Sequence, residues 1–194
     1  KESAACMLIE SVINNYLFKK VYTYNYTDLE KIIDILDVKK TFNNQIEIEY
    51  VHGKVNDKSI ILGFEDSAEV KDDYLFMIKS FSRHFRSHNI QYDMILADEV
   101  IFFGHSLGST DYHYFEHFFR NQSNEQIKKE DSKIITIFTY DNKSRLEILT
   151  QLRSMNEKKT NLLFSLNQLN IFCTKDGEGD KERIEEYCKN LKTK

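Results

Sequence analysis

The residues with the greatest chemical reach in this chain lie in Gly104-His105-Ser106-Leu107-Gly108, with Asp111 close behind. A serine between two glycines spells G-x-S-x-G, the strand-to-helix elbow that presents a nucleophile in α/β-hydrolases. That chemistry needs an acid and then a histidine further along the chain. The last histidine, His117, falls in the helical pattern that directly follows the loop. A base there points along its own helix and does not fold back onto Ser106, so serine hydrolysis ranks third among the readings below. The same loop suits another task. Glycines let backbone approach a ligand, and a helix N-terminus offers unpaired N–H groups and a positive end to a phosphate.

Two further loops close apolar runs with polar groups: Thr23-Tyr24-Asn25-Tyr26-Thr27-Asp28 and Val51-His52-Gly53. Asn25 is either a ligand contact or a turn residue bonded to its own main chain. His52, with a reference pKa of about 6.5, can take a proton at neutral pH, or it can simply bond backbone at a strand end. His84 and His88 share a helical spacing, as do His113 and His117. Neither pair has a third ligand or a Glu-x-x-His context, so solvated helix faces are expected and no metal. Cys6, Cys173 and Cys188 are odd in number and far apart. They form neither a zinc site nor a disulfide framework, and they read as core residues of a reducing, cytoplasmic compartment.

The elements that must position these loops follow from hydrophobic periodicity. Residues 3–18 read as a helix, capped by Ser3, with Cys6, Ile9, Ile13, Tyr16 and Leu17 on one face. Residues 20–24 read as a strand; Thr27 or Asp28 then caps a helix marked by Leu29, Ile32, Ile33 and Leu36. Residues 46–51 alternate strictly, as a strand with one wet face does. A short strand is expected at 59–62, a charged surface loop at 65–73, and a helix at 74–86 with Leu75, Ile78, Phe81 and Phe85 inward. Met94 to Ala97 lead into a buried strand at 100–103. Ser109 or Thr110 caps the next helix, on which Tyr112, Phe115 and Phe119 share a face. After a polar loop at 121–132 come a strand at 134–138 and a helix capped by Asp141 or Asn142, with Leu146, Leu149, Leu152 and Met155 inward. A helix through Leu162, Leu163, Leu166 and Leu169, a strand at 171–173, a loop at 177–180 and a helix striped by Ile184, Tyr187, Cys188 and Leu191 complete the chain.

This alternation predicts a three-layer, Rossmann-like α/β fold with a mainly parallel sheet flanked by helices. The strands at 20–24, 100–103 and 134–138 are expected in one sheet, with the loops at Asn25, His52 and Gly104–Asp111 converging at its carboxyl edge. The length of 194 residues and 41% apolar content suit a single domain over 1–194. The net charge of −4 does not suit a general nucleic-acid binder. No apolar run approaches the roughly 20 residues that span a bilayer, and no signal peptide is recognisable. Phenylalanine and tyrosine make up the whole aromatic content and suit a core or a homo-oligomeric interface. Proline is absent and Lys, Asn and Ile are frequent, the bias of an AT-rich, bacterial genome.

Taken together, Thr23 to Asp28, Val51-His52-Gly53 and Phe103 to Asp111 resemble the AbiH family of bacteriophage abortive-infection proteins. The resemblance covers roughly residues 5–150, and Gly-His-Ser-Leu-Gly with the following Asp and aromatics is its most specific part. The same loops are similar to a reduced sirtuin-type NAD-binding fold, with its T-x-N-x-D loop, its His-Gly and its Phe-Gly-x-x-Leu loop. The resemblance implies a bacterial anti-phage protein that binds NAD or a related nucleotide and cleaves the nicotinamide–ribose bond. Asn25 would orient the ribose or the attacking water, and His52 would be the general base. Thr23, Asp28 and Gly53 would complete that pocket. Gly104, His105, Ser106 and Leu107 would line ribose or phosphates, and Asp111 would hold a ribose hydroxyl or serve the helix dipole. The four zinc cysteines of deacetylase sirtuins are absent, which leaves NAD hydrolysis as the simpler chemistry. The Gly-Asn-Gly-Phe-Asp segment with which AbiH proteins begin is also absent, so the domain is read as a fragment lacking an N-terminal strand and glycine-rich loop. The alternative is a non-catalytic sensor that holds a nucleotide or a phage-derived trigger and signals by assembling.

Overall fold

The structure, a computed structural model, describes residues 3–35, 46–108, 110–175, 177 and 180–193. It is a Rossmann-like α/β fold with two parallel sheets flanked by helices. Its contacts divide it into two compact units, Lys1–His88 with Tyr187–Lys194, and Asn89–Glu186.

In the first unit, α1 (Ala4–Ile13) starts at Ser3, whose hydroxyl accepts the Cys6 N–H at 3.3 Å. It buries Leu8, Ser11 and Ile13, and it ends earlier than its apolar pattern suggests. Asn15 donates its amide to the Leu191 carbonyl at 2.6 Å and accepts the Leu17 N–H at 2.8 Å. Tyr16 and Leu17 are therefore left about half exposed, and Cys6 is only half-buried. Strand β1 (Lys20–Thr23) pairs in parallel with β2 (Glu47–Tyr50), Thr23 opposite Tyr50. Between them runs α2 (Leu29–Ile35), whose expected inward Leu36 lies outside the described residues. The wet face expected of β2 is half covered: Glu47 is exposed, but Glu49 pairs with Lys20 and with His88.

Residues 59–62 form no strand, and 74–86 form no α-helix. Two 3₁₀ turns, Asp72–Met77 and Lys79–Phe81, take that place. The reason is a competing tertiary bond. Phe64 donates to the Met77 carbonyl at 2.7 Å and accepts from the Lys79 N–H at 2.8 Å. This parallel bridge holds Ile78 extended and buried, whereas Phe81 and Phe85 turn outward. The helical face proposed for His84 and His88 therefore does not exist.

The second unit holds α3 (Ile90–Leu96), β3 (Glu99–Phe103), α4 (Tyr112–Asn121), β4 (Ile134–Thr139), α5 (Asn142–Met155), α6 (Thr160–Leu166) and β5 (Gln168–Cys173). The three strands are parallel in the order β3-β4-β5. Thus 100–103 and 134–138 are neighbours as expected, but 20–24 belongs to the other sheet. Phe102 packs against Phe115 and Phe119, ring centroids 5.6 Å away in each case. Phe118 and Phe119 are fully buried, each contributing about 1.5–3 kcal/mol. Helix α3 is an element that periodicity missed. On α5, Ile148, Leu152 and Met155 face the core and Leu146 is exposed. Leu169 lies in β5, because α6 stops at Leu166. The last helix, α7 (Lys181–Thr193), buries Ile184, Cys188 and Leu191. Burial raises the Cys188 thiol pKa against the opposing influence of Ser11 and Lys192.

Candidate functional site

Strand direction gathers the candidate residues in two groups, one in each unit. At the carboxyl edge of the β1–β2 pair stand Thr23, Asn25, Asp28, His52 and Gly53. Asn25 is exposed, and its N–H donates to the Thr23 hydroxyl at 3.3 Å. His52 is buried, its ring edge-on to Tyr24 at 5.5 Å and tilted to Tyr26 at 6.5 Å. Its carbonyl accepts the Ile61 N–H at 2.9 Å. Gly53 has φ +74°, and a Cβ there would lie 2.1 Å from the Ser59 carbonyl oxygen. Its glycine is therefore demanded by the fold of the 53–59 loop.

Asp28 is the N-cap of α2 and the hub of a polar cluster. One carboxylate oxygen accepts the Lys31 N–H and the Tyr50 hydroxyl, both at 3.3 Å; the other accepts the Asn56 amide at 2.7 Å. Desolvation works against the charge, but these bonds and the nearby Lys54 ammonium outweigh it, and the Asp28 pKa is lowered. The Tyr50 hydroxyl also accepts the Leu29 N–H at 2.9 Å. The first-turn N–H groups of α2 thus already have protein acceptors, and this helix end is not an open phosphate cradle.

In the second unit, Gly104 ends β3 with φ +63° and open space where a Cβ would stand. Its conformation, not its packing, calls for glycine. Leu107 follows with φ 52° and is fully buried. A leucine in that region costs about 1–3 kcal/mol and persists only where its surroundings fix it. His105 supplies one clamp: its Nδ1 accepts the Leu107 N–H at 2.9 Å, and Phe115 stands edge-on at 5.0 Å. That bond assigns the proton to Nε2, which faces Asp111 Oδ2 at 3.5 Å. Ser106 is exposed, and its Oγ accepts the Gly108 N–H at 3.3 Å. With both His105 ring nitrogens turned to these partners, Ser106 gains no base from its neighbour.

Asp111, not Thr110, occupies the N-cap of α4, and it makes no side-chain cap bond; Ser109 lies outside the described residues. On α5, Asp141 is a true cap, accepting the Ser144 N–H at 2.9 Å. Periodicity gave no sign of Gln151. Its Nε2 lies 3.8 Å from where a Cβ on Gly108 would be. Its buried Oε1 has no hydrogen-bond partner among the described residues. Beside it on α5 runs a groove of about 400 Å³ lined by Lys143, Leu146, Glu147, Thr150 and Gln151. The signal that could have found Gln151 is a lone amide on the loop-facing side of α5, and that side is defined only once α4 and α5 are packed.

Among the described residues, no group of three or more His, Cys, Asp and Glu side chains could hold a metal, and no helix is long and apolar enough to cross a membrane. No family model matches the chain, and no match is found among curated proteins or solved structures.

Proposed function

We propose that this chain binds NAD or a related nucleotide at the β3–α4 loop, in the service of bacterial anti-phage defence. One observation carries the binding reading: the orphaned Oε1 of Gln151, a side chain whose Nε2 comes near the Gly108 position in the loop at the carboxyl end of a parallel strand. A buried acceptor without a partner costs about 1–3 kcal/mol, and a ribose hydroxyl or a base amine would satisfy it. Open space at Gly104 lets a ligand approach backbone, and the strained Leu107 turn holds the loop in shape without it. The defence setting rests on the resemblance of the loops to AbiH proteins.

Hydrolysis of NAD is the second reading. It is favoured by the placement of Asn25 and His52 at one edge of the β1–β2 pair. In that reading His52 takes the proton of the attacking water and Asn25 orients it. Calorimetric titration with NAD, together with NAD consumption by wild type and His52→Ala, separates the two. Binding without consumption supports the sensor. Consumption that falls about 10²–10⁴-fold in His52→Ala supports the enzyme. No NAD binding by the intact chain would sink both.

A further inference from the structure

We propose that the exposed aromatic surface around residues 62–86 is a docking face for a second copy of this chain, related to the first by a two-fold axis. The surface lies wholly in the first unit. The bridge between Phe64 and Ile78 lays 62–66 alongside 76–80, and the buried Ile78 side chain ties that pair to the core. Leu62, Phe64, Tyr74, Phe76, Met77 and Phe81 lie within a few residues of the bridge and are left 37–72% exposed. The Tyr74 and Phe76 rings stand 6.4 Å apart. At about 200 Å² for a large apolar side chain, the exposed fractions of these residues amount to roughly 700 Å². The largest apolar patch of a typical monomer is about 300–600 Å², whereas each partner gives about 800 Å² to an interface of standard size. The extent therefore fits one half of a dimer.

The charges decide what covers it. Residues 65–73 carry Glu65, Asp66, Glu69, Asp72 and Asp73 against the single cation Lys71. Residues 74–88 carry Lys79, Arg83 and Arg86 and no carboxylate. Where the two blocks meet they already neutralise each other: Lys79 donates to Glu65, and the Ser80 hydroxyl donates to Asp66. Asp72, Asp73, Arg83 and Arg86 are exposed, and none makes an ion pair with a described residue. A nucleic acid or an anionic membrane would be drawn to the arginines but repelled by the carboxylates. A surface that carries both signs in separate blocks is instead complementary to itself. Turned about a two-fold axis, the Asp72–Asp73 pair of each copy would meet Arg83 and Arg86 of the other, so both contacts attract at once. The aromatic side chains between the blocks would then lose their contact with water. The surface uses no residue of the Gly104 loop.

Sedimentation velocity of the full chain over a concentration series tests the face. Wild type is expected to dimerise with a Kd of about 1 µM or tighter. Phe76→Ser and Phe81→Ser, each at an exposed position, should each weaken the dimer about tenfold or more, as truncating a central aromatic anchor does. Two charge-reversed chains read the pairing itself. Arg83→Glu with Arg86→Glu makes both blocks acidic, and Asp72→Lys with Asp73→Lys reverses the acidic end. Each should be largely monomeric alone, and the two should associate when mixed. Unchanged circular dichroism shows that the variants fold. Wild type that stays monomeric, dimers as tight in both serine variants as in wild type, or charge-reversed chains that do not associate on mixing would each overturn the proposal.

Discussion

Gln151→Leu separates a binding residue from a structural one, because the two roles predict opposite signs. In the free protein the Gln151 Oε1 is buried with no hydrogen-bond partner among the described residues. Leaving such an acceptor unsatisfied costs about 1–3 kcal/mol, whereas leucine has no polar atom to desolvate. The amide nitrogen approaches the Gly108 position no closer than ordinary contact, so little is lost there. The free variant should therefore gain about 1 kcal/mol, or roughly 2–4 °C in Tm for a chain of this size. Its affinity for NAD should fall about tenfold, the worth of one hydrogen bond that the ligand would otherwise complete. Thermal unfolding with and without NAD reads both effects in one experiment. A variant that is less stable when free would show that Gln151 is satisfied within the protein. A variant that binds NAD as well as wild type would show that the loop is not the nucleotide site.

Two glycines at positive φ should respond differently to alanine. Gly53→Ala meets both the left-handed penalty of about 1–2 kcal/mol and a carbonyl oxygen 2.1 Å from the new methyl; Gly104→Ala meets the penalty alone. Urea unfolding should rank Gly53→Ala as clearly the more destabilising, and equal effects would contradict the loop geometry. Asp28 has a lowered pKa in the fold, so its contribution is present above its unfolded value of about 3.8 and is lost as pH falls through the folded value. The stability gap between wild type and Asp28→Ala should be widest near neutral pH and shrink below about pH 3.8. A gap that is flat across that range would show that Asp28 does not gain its bonds on folding.

Legibility varied from element to element for physical reasons. Strands 100–103 and 134–138 were readable because they are short, apolar and closed by glycine or polar residues; β4 is buried from Ile135 to Thr139, whereas β3, expected to be buried, buries only Phe102 and leaves Phe103 42% exposed. The Ser3, Asp28 and Asp141 caps were readable because capping is local: a side chain meets an N–H two or three residues on. The segment 74–86 has a helical stripe yet forms no α-helix, since the bridge from Phe64 to Ile78 takes its backbone groups. The terminus of α1 was lost in the same way, to an Asn15 bond with a carbonyl 176 positions away in sequence.

The candidate site divides along the same line. Sequence alone determined that Gly104, His105, Ser106 and Asp111 lie on a strand-to-helix loop and that Asn25 and His52 end strands, because period and glycine placement are properties of neighbouring residues. It also determined the parallel α/β class, through the alternation of the two periods. Only the tertiary structure decided that β1 pairs with β2 in a sheet apart from β3-β4-β5, and that Tyr50 and Asp28 occupy the start of α2. It alone left the Gln151 Oε1 buried without a hydrogen-bond partner among the described residues, with the Nε2 of the same side chain near the Gly108 position. Which strand lies beside which, and which polar atom finds a partner, depends on groups distant in the chain, and no local pattern of residues encodes that distance.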